Sequence, residues 1–308
     1  MHPLLLQGQG LTETRPARLV GTSIGAALSA FAIALAIGVA VQASGWAISP
    51  TLFLAILAIV LLVGVATVFA FWAWSCYSLR YVLDRTGLEI GWGTVRHFVA
   101  IDQIDEFKLG RGETKARVHG LTWPGFQIGH GDADEIGPVI FFSTHQSPED
   151  LVYVRTSDVT YGISPQDPIR FVSDAQRYQE AAKPEQRAPV SWTLLGSHPM
   201  WTDRLAQTLV SVAIVLNLAL WGFVFGLYPE LDNQITIEFP PIGDITMLQS
   251  RSEILRIPAT ATVFLGINLV AGVLFQWRER SATYLLVGGA VIFQVAFWIA
   301  AVVALVNA

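Results

Sequence analysis

The sequence predicts an α-helical integral membrane protein of about five spans. A β-rich domain closed by a C-terminal helix is inserted between the second and third. Two observations carry this: where charge is missing, and what pattern appears where it returns. Of 308 residues, 14% are charged and 53% hydrophobic, with a mean hydropathy of +0.49. A soluble domain carries about 25% charge. No Asp, Glu, Lys, Arg or His falls in 19–79, 205–229, 257–277 or 281–308. Those windows cover 135 residues, and all 43 Asp, Glu, Lys and Arg lie in the other 173, about a quarter of them.

A spanning helix needs roughly 20 apolar residues. The first window holds two, broken by Gln42-Ala43-Ser44-Gly45-Trp46 and Ser49-Pro50, which are turn formers. Spans are therefore expected at 19–42, 51–77, 205–228, 257–277 and 281–306, the last two joined by Arg278-Glu279-Arg280. The run after residue 18 is too long for a signal-peptide core, so the first span is read as uncleaved.

Short-loop cations set orientation. Arg15, Arg18, Arg80, Arg85, Arg204, Arg278 and Arg280 all fall on one side of a five-span arrangement. The 229–256 loop on the other side has Arg251 and Arg256 against five acids. The N-terminus and residues 78–203 are thus expected on the cytoplasmic side of the membrane, and the C-terminus outside. Trp72, Trp74, Tyr77, Trp201 and Trp277 at inner ends, with Trp46 and Tyr228 at outer ends, suit interfacial positions.

Between spans 2 and 3 the periodicity changes to strands: Tyr81–Leu83, Leu88–Trp92, Val95–Val99, Val139–Phe142, Leu151–Val154 and Thr160–Ile163. A helix follows, with Asp167 as N-cap, Pro168 at its first position, and Phe171, Ala175, Tyr178 and Ala182 on one face. The expected division is 1–77 (N-terminal segment and two-span hairpin), 78–182 (β domain), 183–204 (linker) and 205–308 (three spans with the 229–256 loop).

At residue level, Tyr81-Val82-Leu83-Asp84-Arg85-Thr86-Gly87-Leu88-Glu89-Ile90-Gly91-Trp92-Gly93 resembles the opening hairpin of bacterial pleckstrin-homology (PH) membrane proteins. Ile101-Asp102-Gln103-Ile104, Leu121-Thr122-Trp123-Pro124-Gly125-Phe126 and Ile163–Phe171 resemble later motifs of the same group, in the same order. The resemblance implies a cytoplasmic PH-like domain over 78–182 that serves as a binding module. A second resemblance covers about 205–277. Leu227-Tyr228-Pro229-Glu230-Leu231, Ile235, Phe239, Gly243 and Pro258 are similar to an uncharacterised membrane domain found in SdpI-type immunity proteins. Asp232, Thr236 and Glu238 depart from its pattern.

No motif points to catalysis, and no catalytic, cofactor or metal residue is expected. Single Cys76 excludes an internal disulfide. His97, His119, His145 and His198 have no partner at motif spacing. Gly91-Trp92-Gly93 and Gly110-Arg111-Gly112 lack the context of a phosphate loop. His130, Asp132, Asp134 and Glu135 could offer ligands to a cation, but the stretch reads as a solvated loop. Net charge is −5, which excludes a nucleic-acid partner.

Lys108, Arg111, Lys115 and Arg117 form the basic cluster of the domain, a candidate contact for lipid or partner. Asn217, Asn268 and Gln294 are read as intramembrane polar packing groups. Gly21, Gly25, Ser29, Gly222 and Gly226 are read as helix-packing seams. The function expected is a non-catalytic membrane-anchored scaffold or accessory subunit, with membrane lipid and a protein partner or second copy as its contacts. The alternative is a small transporter or immunity-type protein acting through spans 3–5 and the 229–256 loop.

Overall fold

The computed structural model describes residues 12–110, 116–123, 125–133, 136–145, 147–181, 191–193, 203–238, 246–276 and 278–306. Among them are five helices long and apolar enough to cross a membrane: α1 (Leu19–Ala43), α2 (Pro50–Ser78), α4 (Arg204–Leu227), α5 (Arg256–Gln276) and α6 (Arg280–Val306). Their ends follow local chemistry. Pro50 opens α2, and the Asp203 carboxylate accepts the Ala206 backbone N–H at 3.1 Å to cap α4. Apolar side chains such as Leu61, Leu274, Leu285 and Ile292 face outward. Water would penalise such contiguous surface and lipid does not. The chain is a multi-pass membrane protein.

The chain divides into two compact units. The first comprises residues 1–34 and 63–195, and so holds one end of the α1–α2 hairpin together with the β domain. One sheet runs β1 (Thr12–Thr14), β2 (Arg80–Leu83), β3 (Gly87–Trp92), β4 (Val95–Ala100) and β11 (Ser191–Thr193) in that spatial order. The other sheet is built from β5 (Ile104–Leu109), β6 (Ala116–Trp123), β7 (Phe126–Ala133), β8 (Gly137–Ser143), β9 (Val152–Thr156) and β10 (Thr160–Ile163). Its spatial order is β5-β9-β10-β8-β7-β6, with only β10–β8 parallel. The buried face of the first sheet (Leu79, Tyr81, Leu83, Leu88, Ile90) packs in one cluster with Phe107, Val152, Val154 and Ile163 of the second, closed by Phe171 and Ala175 of α3 (Pro168–Ala181). The Tyr81 hydroxyl donates to the Phe142 carbonyl at 2.6 Å and accepts from the Ser164 N–H at 3.2 Å, joining the sheets through a buried ring. Asp167 caps α3 through the Arg170 N–H at 3.0 Å, as the sequence predicts.

Two segments differ from the sequence reading. The stretch read as a solvated loop begins inside β7, where His130 and Asp132 stand on a strand paired on both sides. Alternating glycines hide its period, and main-chain pairing to β6 and β8 holds it instead. Residues 191–193, expected within a linker, add β11 to the edge of β4.

The second unit comprises residues 35–62 and 196–308. Here α4, α5 and α6 pack through small residues, with Ala213, Ala261, Ala290 and Ala301 fully buried. The loop after α4 folds into a hairpin, β12 (Gln234–Glu238) with β13 (Thr246–Ser250). Ile235 buries against Val224, Tyr228 and Ile254.

Candidate functional site

In the first unit, α2 runs almost directly into β2: Ser78 ends the helix and Arg80 starts the strand. The last turn of α2 touches the β domain at several points. Cys76 and Ile128 share a buried cluster with Trp72, Trp92 and Phe142. The Gly93 N–H donates to the Ser78 hydroxyl at 2.9 Å. Gly21 of α1 lies against Gly125, where a Cβ on Gly21 would sit 2.5 Å from the Gly125 carbonyl oxygen and 2.8 Å from Cys76 Sγ. Gly125 itself has φ +75°, the left-handed region that favours glycine. Both glycines are needed for this approach, so the domain is seated on the helix ends rather than hung from a linker.

Beside this seam lies a groove of about 330 Å³, lined by Arg15, Arg18, Trp74, Tyr77, Ser78, Arg80, Gly91, Trp92, Gly93, Val95 and Arg96. The Arg18 guanidinium sits 4.4 Å over the Tyr77 ring and donates to the Tyr77 carbonyl at 2.8 Å. Arg80 and Arg96 both approach Glu89, at 4.0 and 3.9 Å. Arg15 pairs with Glu13 at 3.2 Å. The sequence reading used Arg15, Arg18 and Arg80 only as markers of orientation. Strand pairing brings Arg80 beside Gly91 and Gly91 beside Arg96, which places two arginines 16 residues apart on either side of one glycine.

The basic cluster read from sequence is distributed differently. Lys108 stands on β5 and Arg117 on β6, the opposite edge strands of the six-stranded sheet. Arg111 and Lys115 lie outside the described residues, as do Asp134 and Glu135. Among the described residues, no group of three or more His, Cys, Asp and Glu could hold a metal ion.

Of the intramembrane polar residues, Asn217 and Gln294 meet. Asn217 Nδ2 donates to Gln294 Oε1 at 3.2 Å, Gln294 Nε2 donates to the Ala261 carbonyl at 2.9 Å, and the Thr262 hydroxyl donates to Asn217 Oδ1 at 3.1 Å. Asn268 instead bonds the Phe264 carbonyl of its own helix. Among the seam residues, Gly25 faces the Ala73 backbone, Ser29 donates to the Ala66 carbonyl at 2.9 Å, and Gly222 faces the Phe53 ring. Among the described residues, nothing lies within 4 Å of the place a Cβ on Gly226 would take.

A clamp that sequence reasoning missed ties three helices. Besides capping α4, Asp203 accepts from the Tyr284 hydroxyl at 2.7 Å and from Gln276 Nε2 at 3.2 Å. The Ala206 N–H and then Tyr284 hold its carboxyl below the usual range. No sequence motif marks it beyond an acid at a helix start.

Two histidines of the β domain are half or wholly buried. His97 Nε2 shares a hydrogen bond with the Tyr161 hydroxyl at 2.8 Å, and burial lowers its pKa. His145 Nδ1 shares one with Ser143 Oγ at 2.7 Å. Burial, opposed by nearby Asp150, pushes its pKa down to about 4. Among the described residues neither histidine has an acid at triad geometry, and each reads as a satisfied packing group.

Fold and site define a class: a multi-pass membrane protein carrying an inserted β domain seated on its helix ends. The family model of the bacterial PH domain matches residues 79–179, from the start of β2 nearly to the end of α3. PH domains are typically non-catalytic and commonly bind lipids or proteins. The match covers about a third of the chain. No curated protein and no solved structure matches the chain.

Proposed function

We propose that this chain is a non-catalytic scaffold or accessory subunit of a bacterial inner membrane. Its helices anchor it, and its PH-like domain, on the cytoplasmic side, binds a protein partner or a second copy. The observation that carries this is the seam at Gly21, Gly125 and Cys76. It seats the domain against helix ends while leaving the outer face of α3, with Ile169 73% exposed, open for contact. Polar groups in the spans support anchoring over transport, because Asn217 and Gln294 are bonded to each other. The test is purification of the full chain in mild detergent, beside a variant lacking 78–190. A stoichiometric partner or self-association, lost with the domain, is the expected result. A lone monomer in both overturns the reading.

One observation favours a second reading, an immunity-type or small-transporter role of 205–308: the loop after α4 folds as the β12–β13 hairpin. Under that reading, toxin resistance or flux survives deletion of 78–190.

A further inference from the structure

We propose that the arginine groove at the helix–domain junction binds the phosphate of an anionic phospholipid headgroup. Arg15 and Arg18 reach it from the start of α1, Trp74 and Tyr77 from the last turn of α2, and Arg80 and Arg96 from β2 and β4. The four cations converge on one space, against two nearby carboxylates among the described residues. Glu13 is committed to exposed Arg15, and Glu89 is divided between Arg80 and Arg96 at the long distances of 4.0 and 3.9 Å. An arginine held so loosely keeps donors free for a phosphate, whose geometry its planar fork matches.

Position selects the source of the phosphate. Arg18 immediately precedes the first apolar residue of α1, and Trp74 and Tyr77 are 45% and 57% exposed at the end of α2. Aromatic side chains at such a boundary sit at headgroup level. The groove's volume of about 330 Å³ is at the lower end of small-molecule pockets, room for one headgroup and too little for a folded peptide. Gly91 helps to keep it open, since a Cβ there would lie 3.2 Å from Arg80 Cγ and Nε. The site is not a property of the β domain alone, because Arg15, Arg18, Trp74 and Tyr77 lie outside residues 79–179. It rests on the membrane-spanning reading and is independent of any protein partner.

The test is native mass spectrometry of the full chain in mixed micelles doped with phosphatidylglycerol or phosphatidylcholine, with inorganic phosphate as a third arm. Phosphatidylglycerol should be retained saturably and phosphatidylcholine released. Arg15→Gln, Arg18→Gln, Arg80→Gln and Arg96→Gln combined should weaken retention about tenfold or more. The same charge loss at Arg85, Arg155, Arg170 and Arg177 should leave it unchanged. Glu89→Gln frees Arg80 and Arg96 and should strengthen retention, a gain that misfolding cannot mimic. Equal retention of the two lipids, an equal effect of the two quadruple variants, or weaker binding by Glu89→Gln overturns the proposal. So does competition by millimolar phosphate that abolishes the lipid preference, which would make the ligand a soluble anion.

Discussion

His145 is 8% exposed, and its ring lies tilted against Phe141 at 5.9 Å and is bonded to Ser143. Its folded pKa of about 4 lies below the unfolded value of 6.5. The unfolded chain therefore binds a proton first as pH falls. The stability tied to the neutral ring is fully present above pH 6.5 and is lost progressively down to about pH 4, by up to about 3 kcal/mol. His145→Asn should flatten the melting temperature of the β domain across that window relative to the native chain. An unchanged pH profile would mean that burial does not shift the His145 pKa from its unfolded value. Inside the bundle, Gln294→Leu leaves Asn217 Nδ2 without its acceptor and should cost about 1 kcal/mol in reversible unfolding in detergent. Asn268→Leu, which removes only a bond within one helix, should cost less. Asn217, Asn268 and Gln294 looked equivalent in the sequence. Their difference is rotational position around helices whose packing only the fold sets.

At the scale of elements, the spans were legible because lipid imposes one rule on every residue, and a charge-free window obeys it visibly. The boundaries agree to within a residue or two, from α1 at Leu19–Ala43 to α6 at Arg280–Val306. The cap of α3 was legible for a different reason: Asp167-Pro168 is a local signal that needs no partner. Asp167→Ala should destabilise α3 and the domain by about 1 kcal/mol, read as a lower melting temperature with an unchanged fold. Strand β7 was not legible, since its Gly129-His130-Gly131-Asp132 run has no alternating apolar face and owes its place to neighbours on both sides. The arginine groove was hidden similarly. Its residues are scattered from 15 to 96, and Arg80 reaches Arg96 only through pairing with β3.

At the scale of the whole molecule, sidedness is an expectation from span count and cation placement, and one native feature makes it measurable. Cys76 is the only cysteine and is 1% exposed, so a membrane-impermeant maleimide should leave the native chain unlabelled in intact cells. Arg85 follows two spans and is exposed at the β2–β3 turn; Asp232 follows three spans and is exposed after α4. If the short-loop arginines are retained in the cytoplasm, Asp232→Cys labels in intact cells, and Arg85→Cys labels only after permeabilisation. The two sites differ by one span, so an odd number of crossings between them requires opposite behaviour whichever way the protein is inserted. The reversed pattern would keep five spans and invert the protein, moving the β domain and its arginine groove to the outer face. Equal labelling of both positions would mean that α4 does not cross, and would remove the five-span architecture itself.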